Sequence, residues 1–248
     1  MSGHVAQQET TEAVTQQNKG SAFDRFAGGA ALLVAVSSVI YGFVYLLLVP
    51  ADQKGQAPAA LTSFYSNPTG RQIASIMLAL GGLSTATAAV GIYHRLRDQH
   101  PGWAGWSVRI GFAAGLLTTL HGIYLTVLLP VTSNLYVNPP GGADASAIKN
   151  AVIALAYLPS PLDPGGFSKF CLAGLWLLVT GALMLRSRSF PRWLAYLGLV
   201  GGVGLLLLYV GGLTGTTVLI LATGLPSSVL VGPLFWVAVG YTLWARKS

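Results

Sequence analysis

The sequence predicts an all-α fold, a polytopic transmembrane bundle of six helices with both termini on the cytoplasmic side. Residues 193–245 contain no Asp, Glu, Lys, Arg or His. Roughly 20 helical residues cross a hydrocarbon core of about 30 Å, so this run alone holds more than one span. Hydrophobic residues make up 53% of the chain and charged residues 8%, with a mean hydropathy of +0.62, whereas a soluble domain carries roughly 25% charged residues. The cations, finally, cluster in alternate connections between apolar runs, as membrane topology requires.

Residues 1–22 are polar and rich in Gln, Thr and Glu. They carry too little apolar surface to fold alone and are expected to form a disordered cytoplasmic tail, with no basic-then-apolar pattern of a cleaved signal peptide. Residues 23–248 are expected to be one six-helix transmembrane domain. The first span is read at 26–49, closed by Pro50, and the second at 73–93, closed by His94 and Arg95. The third runs over 110–129 and stops before Pro130, because proline removes a backbone donor. The fourth, 170–185, is short, so Lys169 and Arg186 are expected to snorkel outward from its two ends.

Glycine and proline clusters at 211–215 and 224–228 divide the long uncharged run. They give a fifth span at 193–213 and a sixth at 229–245. Residues 216–225 then form an apolar connector that lies in the outer interface or re-enters the bundle. Within the connection 131–168, residues 145–158 read as a further helix with Asp144 as N-cap and Ile148, Val152 and Leu155 as an apolar stripe. It is expected to lie flat on the outer surface or to cap the bundle.

Six spans gather Lys19, Arg25, Arg95, Arg97, Arg109, Arg186, Arg188, Arg192, Arg246 and Lys247 on one side and leave Lys54, Arg71, Lys149 and Lys169 on the other. The positive-inside rule makes the first side the cytoplasm. Trp103, Trp106, Trp193, Tyr241 and Trp244 fall at that side as interfacial anchors. Gly111 with Gly115, Gly198 with Gly202, and Gly211 with Gly215 are spaced for close helix packing inside the bundle.

His121 is the one group at depth expected to titrate near neutral pH, and an imidazole in hydrocarbon needs a partner. Thr118 and Tyr124 lie three residues to either side on the same helical face. The three residues form the candidate ligand-binding patch, for a quinone, a haem or a chlorin, or else His121 fixes packing to a neighbouring helix. A haem sandwiched between His121 and His94 is not expected, since His94 sits roughly 16 Å shallower. All seven acids lie outside these spans, which leaves coupled transport without an intramembrane carboxylate. No Gly-x-Ser-x-Gly, His-Glu-x-x-His or Walker glycine loop occurs, and Cys171 is the lone cysteine. No catalytic residue and no metal site are expected, and the dispersed cations do not suggest a nucleic-acid partner.

The stretch Arg186-Ser-Arg-Ser-Phe-Pro-Arg-Trp-Leu-Ala-Tyr-Leu-Gly-Leu-Val-Gly-Gly-Val-Gly, with the ending Phe235-Trp-Val-Ala-Val-Gly-Tyr-Thr-Leu-Trp244, resembles an uncharacterised family of bacterial six-helix membrane proteins catalogued as a domain of unknown function. The resemblance covers roughly residues 23–247. It implies six helices in a bacterial inner (cytoplasmic) membrane and carries no activity or catalytic residue with it. The expected function is that of a non-catalytic multi-pass protein, either an accessory subunit of a membrane assembly or a binder of a lipophilic small molecule. A facilitated transporter or pore for a small solute and a small intramembrane enzyme built on His121 are the competing classes. The expected partners are the lipid bilayer and either other membrane subunits or a lipophilic ligand, and the sequence names no cofactor.

Overall fold

The computed structural model describes residues 22–44, 57–140, 144–157 and 166–245. Apart from Ala22, the tail expected over 1–22 lies outside the described residues, as do Lys54, Arg246 and Lys247. The described chain is helical, with α1 (Ala22–Val44), α2 (Ala57–Ser66), α3 (Pro68–Leu96), α4 (Pro101–Val137), α5 (Ala145–Tyr157), α6 (Phe167–Arg186), α7 (Arg192–Thr214) and α8 (Thr217–Ala245). All of these but α2 and α5 are long and apolar enough to cross a membrane, which makes six spans.

Those six close into a ring in the order α1, α3, α4, α6, α7, α8, and every step of the ring is made at a glycine. A Cβ on Gly28 of α1 would lie 2.9 Å from the Gly240 carbonyl of α8, and one on Gly91 of α3 would collide with Ala27 of α1. Between α3 and α4, a Cβ on Gly82 would meet the Gly115 carbonyl at 2.6 Å, and one on Gly122 would run into the backbone of Ala79. Gly111 of α4 leaves the space taken by the Trp176 ring of α6, Gly174 of α6 faces the Gly202 carbonyl of α7, and Gly198 of α7 faces Phe235 of α8. Backbones approach this closely only where side chains are absent, and dispersion and Cα–H···O contacts then supply the association that apolar lipid does not. Of the expected glycine pairs, only Gly215 has a different task. Its φ of 67° caps α7 in the left-handed region, and α8 begins two residues later.

Pairings along the ring fix the direction of each helix. Ser107 bonds Thr180 at 2.8 Å and Gly111 meets Trp176, so α4 and α6 are antiparallel. Arg95 near the end of α3 holds Asp24 in the first turn of α1 at 2.6 Å. The turns 97–100 and 187–191, with Arg95, Arg186 and Arg192 flanking them, therefore lie at the same end of the bundle, the basic end.

Several helices outrun their sequence-based limits. The first begins at Ala22, which takes Asp24 into a helix otherwise read as acid-free. The second begins at Pro68, where Asn67 accepts the Gly70 amide at 3.1 Å as an N-cap. The stretch 216–225 is no connector. It is the first part of α8, which passes Pro226 through a widened π-helical turn, Pro226–Val231, instead of breaking there. Proline has no N–H to give, and the wider turn relieves the clash of its ring with the preceding one.

The third helix likewise does not stop at Pro130. It continues to Val137, 37 residues in all, or about 55 Å at about 1.5 Å per residue. Pro130 leaves the Thr126 carbonyl without its intrahelical donor, and the side-chain amide of Gln72 on α3 donates to that carbonyl at 3.0 Å. The Thr132 hydroxyl bonds the Leu128 carbonyl at 2.9 Å and the Ser133 hydroxyl bonds the Pro130 carbonyl at 3.0 Å, so neighbouring acceptors are also met.

The overhang of α4 carries a small cap. Helix α2, missed in the sequence, packs its buried Leu61 and Phe64 at this end against α4, and α5 packs on both. Asn138 donates to the Tyr65 hydroxyl at 3.0 Å. Lys149 stands over the Tyr136 ring while the Leu155 carbonyl accepts from the Tyr124 hydroxyl, so α5 runs back antiparallel along α4 with Val152 buried, instead of lying flat.

Replacing Gly115 with Ala should lower the melting temperature in detergent by the equivalent of roughly 1–3 kcal/mol, since its Cβ would meet the Gly82 carbonyl at 2.6 Å and the Ala86 amide at 2.7 Å. Gly29→Ala, which meets nothing within 4 Å, should be neutral or slightly stabilising. Gln72→Leu should cost about 1–3 kcal/mol by orphaning the Thr126 carbonyl. Pro130→Ala restores the missing N–H, so the same Gln72→Leu change made on that background should cost clearly less in a double-mutant cycle of melting curves.

Candidate functional site

The bundle packs differently at its two ends. In the basic half the buried residues are mainly apolar and come from all six spans, among them Ala27, Val34, Ile92, Ala104, Met184, Leu194 and Val239. Trp176 of α6 stacks on Trp236 of α8 with ring centres 5.3 Å apart and planes 16° from parallel, and Phe235 meets both rings edge-on. These aromatics fill the centre of the ring. The one buried side-chain pair on this level, Ser107 with Thr180, is self-satisfied. Beside Tyr93 and Ser107 the packing is bounded mainly by apolar groups and leaves no room for a water-sized molecule.

In the opposite half the fully buried side chains are mostly small and polar. Ser37 of α1, Ser75 of α3, Ser168 of α6 and Ser227 of α8 are each at most 6% exposed. Ser37 packs on Gly81, one residue before the Gly82 contact with α4, and Ser227 packs on Gly204, one half-turn from the Gly202 contact with α6. The antiparallel register of α4 and α6 sets Ser168 level with Thr119. Ser37, Ser75 and Ser168 thereby fall within about one helical turn of the level of His121, whereas Ser227 lies about eight residues nearer the basic end, close to the level of Trp176. The Ser75 hydroxyl is spent on its own Arg71 carbonyl at 3.0 Å, whereas the Ser37 hydroxyl has no hydrogen-bond partner among the described residues.

His121 is half-buried on α4 with its Nδ1 inside the bundle. Thr118 and Tyr124 do flank it at one-turn spacing, and both are half-buried. Tyr124, however, turns its hydroxyl to the Leu155 carbonyl of α5 at 2.9 Å. It ties the cap to the bundle, while Thr118 stays one turn from His121 on α4. The first turn of α6 closes this level from the other side. It is π-helical over Phe167–Leu172, opens at Gly166 with φ 82°, and packs on α4. A Cβ on Gly166 would collide with the Phe170 ring, so glycine is required there both by its conformation and by its lack of a side chain.

Sequence reasoning found His121 by its charge but not the serines, because a lone serine in an apolar helix commonly bonds its own backbone and gives no signal of its depth. His94 stays at the basic end, edge-on to Phe23, far from His121. Among the described residues no three His, Cys, Asp or Glu side chains gather as a metal site.

The family described as a domain of unknown function (DUF4386) matches residues 27–245. No curated protein and no solved structure matches the chain.

Outside the spans, Asp144 accepts from the Ser146 hydroxyl at 2.8 Å and from the Ser146 and Ala147 amides at 2.9 and 3.3 Å, and these bonds hold its carboxyl below its ordinary value of 3.8. A depressed carboxylate supports the fold above the unfolded value and loses that support as pH falls through the folded one. Carbon NMR of Asp144 should give a midpoint below 3.8, and Asp144→Ala should speed deuterium exchange in the first turn of α5 at neutral pH.

Proposed function

We propose that this chain, which belongs to the DUF4386 family, is a non-catalytic multi-pass membrane protein that binds a lipophilic small molecule bearing a polar group. One observation carries the reading, the division of the bundle interior. One half is filled by Trp176, Trp236 and Phe235, and the other presents His121 with the buried Ser37, Ser75 and Ser168 within about one helical turn of its level. An interior that is polar from one end and plugged at the other favours a binding site over a through-going pore. The polar group of the ligand would meet His121 and Thr118, with its apolar part along α4, whose span is little buried by its neighbours. The basic end faces the cytoplasm of a bacterial inner membrane in this reading, supported by the gathering of Arg95, Arg97, Arg186, Arg188 and Arg192 at one end. The catalytic alternative has less support, since no carboxylate or second imidazole accompanies His121 among the described residues of its level.

Mass spectrometry of the organic extract of gently solubilised protein tests it. A small lipophilic species should co-purify at near-stoichiometric amount and fall at least tenfold in His121→Ala while the melting curve stays within a few degrees. Identical extracts from wild type and variant would overturn the assignment.

A further inference from the structure

The lipid-facing side of α4 carries a cation deeper than its aromatic belt. Trp103 and Trp106 are exposed, 63% and 44% by relative area, with their rings edge-to-face at 6.0 Å. Arg109 continues the same face at i+3 and i+6, is exposed, and makes no salt bridge among the described residues. The pairing of Ser107 with Thr180 and of Gly111 with Trp176 sets Arg109 level with Leu178. That is eight residues short of Arg186, about 12 Å further into the bundle. The acids at this end are already engaged, Asp24 by Arg95 and Asp98 by Arg97.

A guanidinium directed at acyl chains is costly unless it reaches an anion. Its stem can lift the charge several ångströms toward the interface, past Trp106, whose indole N–H suits the headgroup level. A phosphate diester matches that position: a guanidinium binds its two oxygens side by side, and the acyl chains run down the exposed stripe of Phe112, Leu116, Leu120 and Ile123. We infer that Arg109, with Trp103 and Trp106, is a binding site for one anionic phospholipid at the basic end of α4. The site is separate from His121 and stands whether or not that residue binds a ligand.

Native mass spectrometry of the detergent-solubilised full chain, titrated with phosphatidylglycerol or phosphatidylcholine, tests the site. Wild type should retain the anionic lipid about fivefold better. Arg109→Gln should bring the two lipids to parity, while Arg109→Lys and Arg186→Gln should keep most of the preference. Arg109→Met keeps the stem and serves in place of Arg109→Gln if melting shows that variant unfolded. Undiminished preference in the uncharged variant overturns the site, and so does an equal loss in Arg186→Gln, which would reduce it to the diffuse charge of that end.

Discussion

Backbone-to-backbone contact at glycine is the constraint on which the rest of the architecture rests. In hydrocarbon, helices gain nothing by hiding leucines from lipid, so association must come from closeness of fit and from polar groups that lipid cannot satisfy. Here every junction of the six-helix ring passes through a residue without a side chain, from Gly28 against Gly240 to Gly82 against Gly115 and Gly174 against Gly202. The short interaxial distances then decide what fits inside. A single indole, Trp176, reaches from α6 past Gly111 to Trp236 and fills the middle.

Polar groups add a second level of specification. Asp24 with Arg95 joins α1 to α3 at the basic end, Ser107 with Thr180 joins α4 to α6, and Gln72 joins α3 to the backbone of α4. Each lies at one defined height, so each fixes register as well as proximity. Towards the far end the interior passes from apolar residues to serine and His121; the π-helical turn Phe167–Leu172 falls in that part, while Pro226–Val231 lies nearer the level of Trp176. Extra residues in a turn re-aim side chains without breaking the span, which is how Ser168 and Ser227 come to be buried.

The class of fold and the number of spans were legible because they depend on summed hydropathy and on the placement of arginines, properties of whole segments. The limits of the segments were less legible because they depend on single contacts from elsewhere in the fold. Pro130 reads as a stop for α4 until Gln72, 54 residues away in sequence, supplies the missing donor. Pro226 reads as a break until the π-turn absorbs it. Helix α2 went unseen because its apolar residues cover α4 outside the spans, where no membrane-length pattern marks them. His121 announced itself as an ionisable group at depth. The serines at its level did not, for their burial is a property of the ring and not of their neighbours in sequence.

The stacked indoles of Trp176 and Trp236 have an optical consequence. Two aromatic chromophores held 5.3 Å apart and nearly parallel are close enough for their excited states to couple, giving the protein an intrinsic near-ultraviolet dichroism signal that originates in its centre. Because one ring belongs to α6 and the other to α8, any event that parts those helices would erase the signal while leaving helix content unchanged. The chain thus carries its own unlabelled gauge of whether the interior is shut.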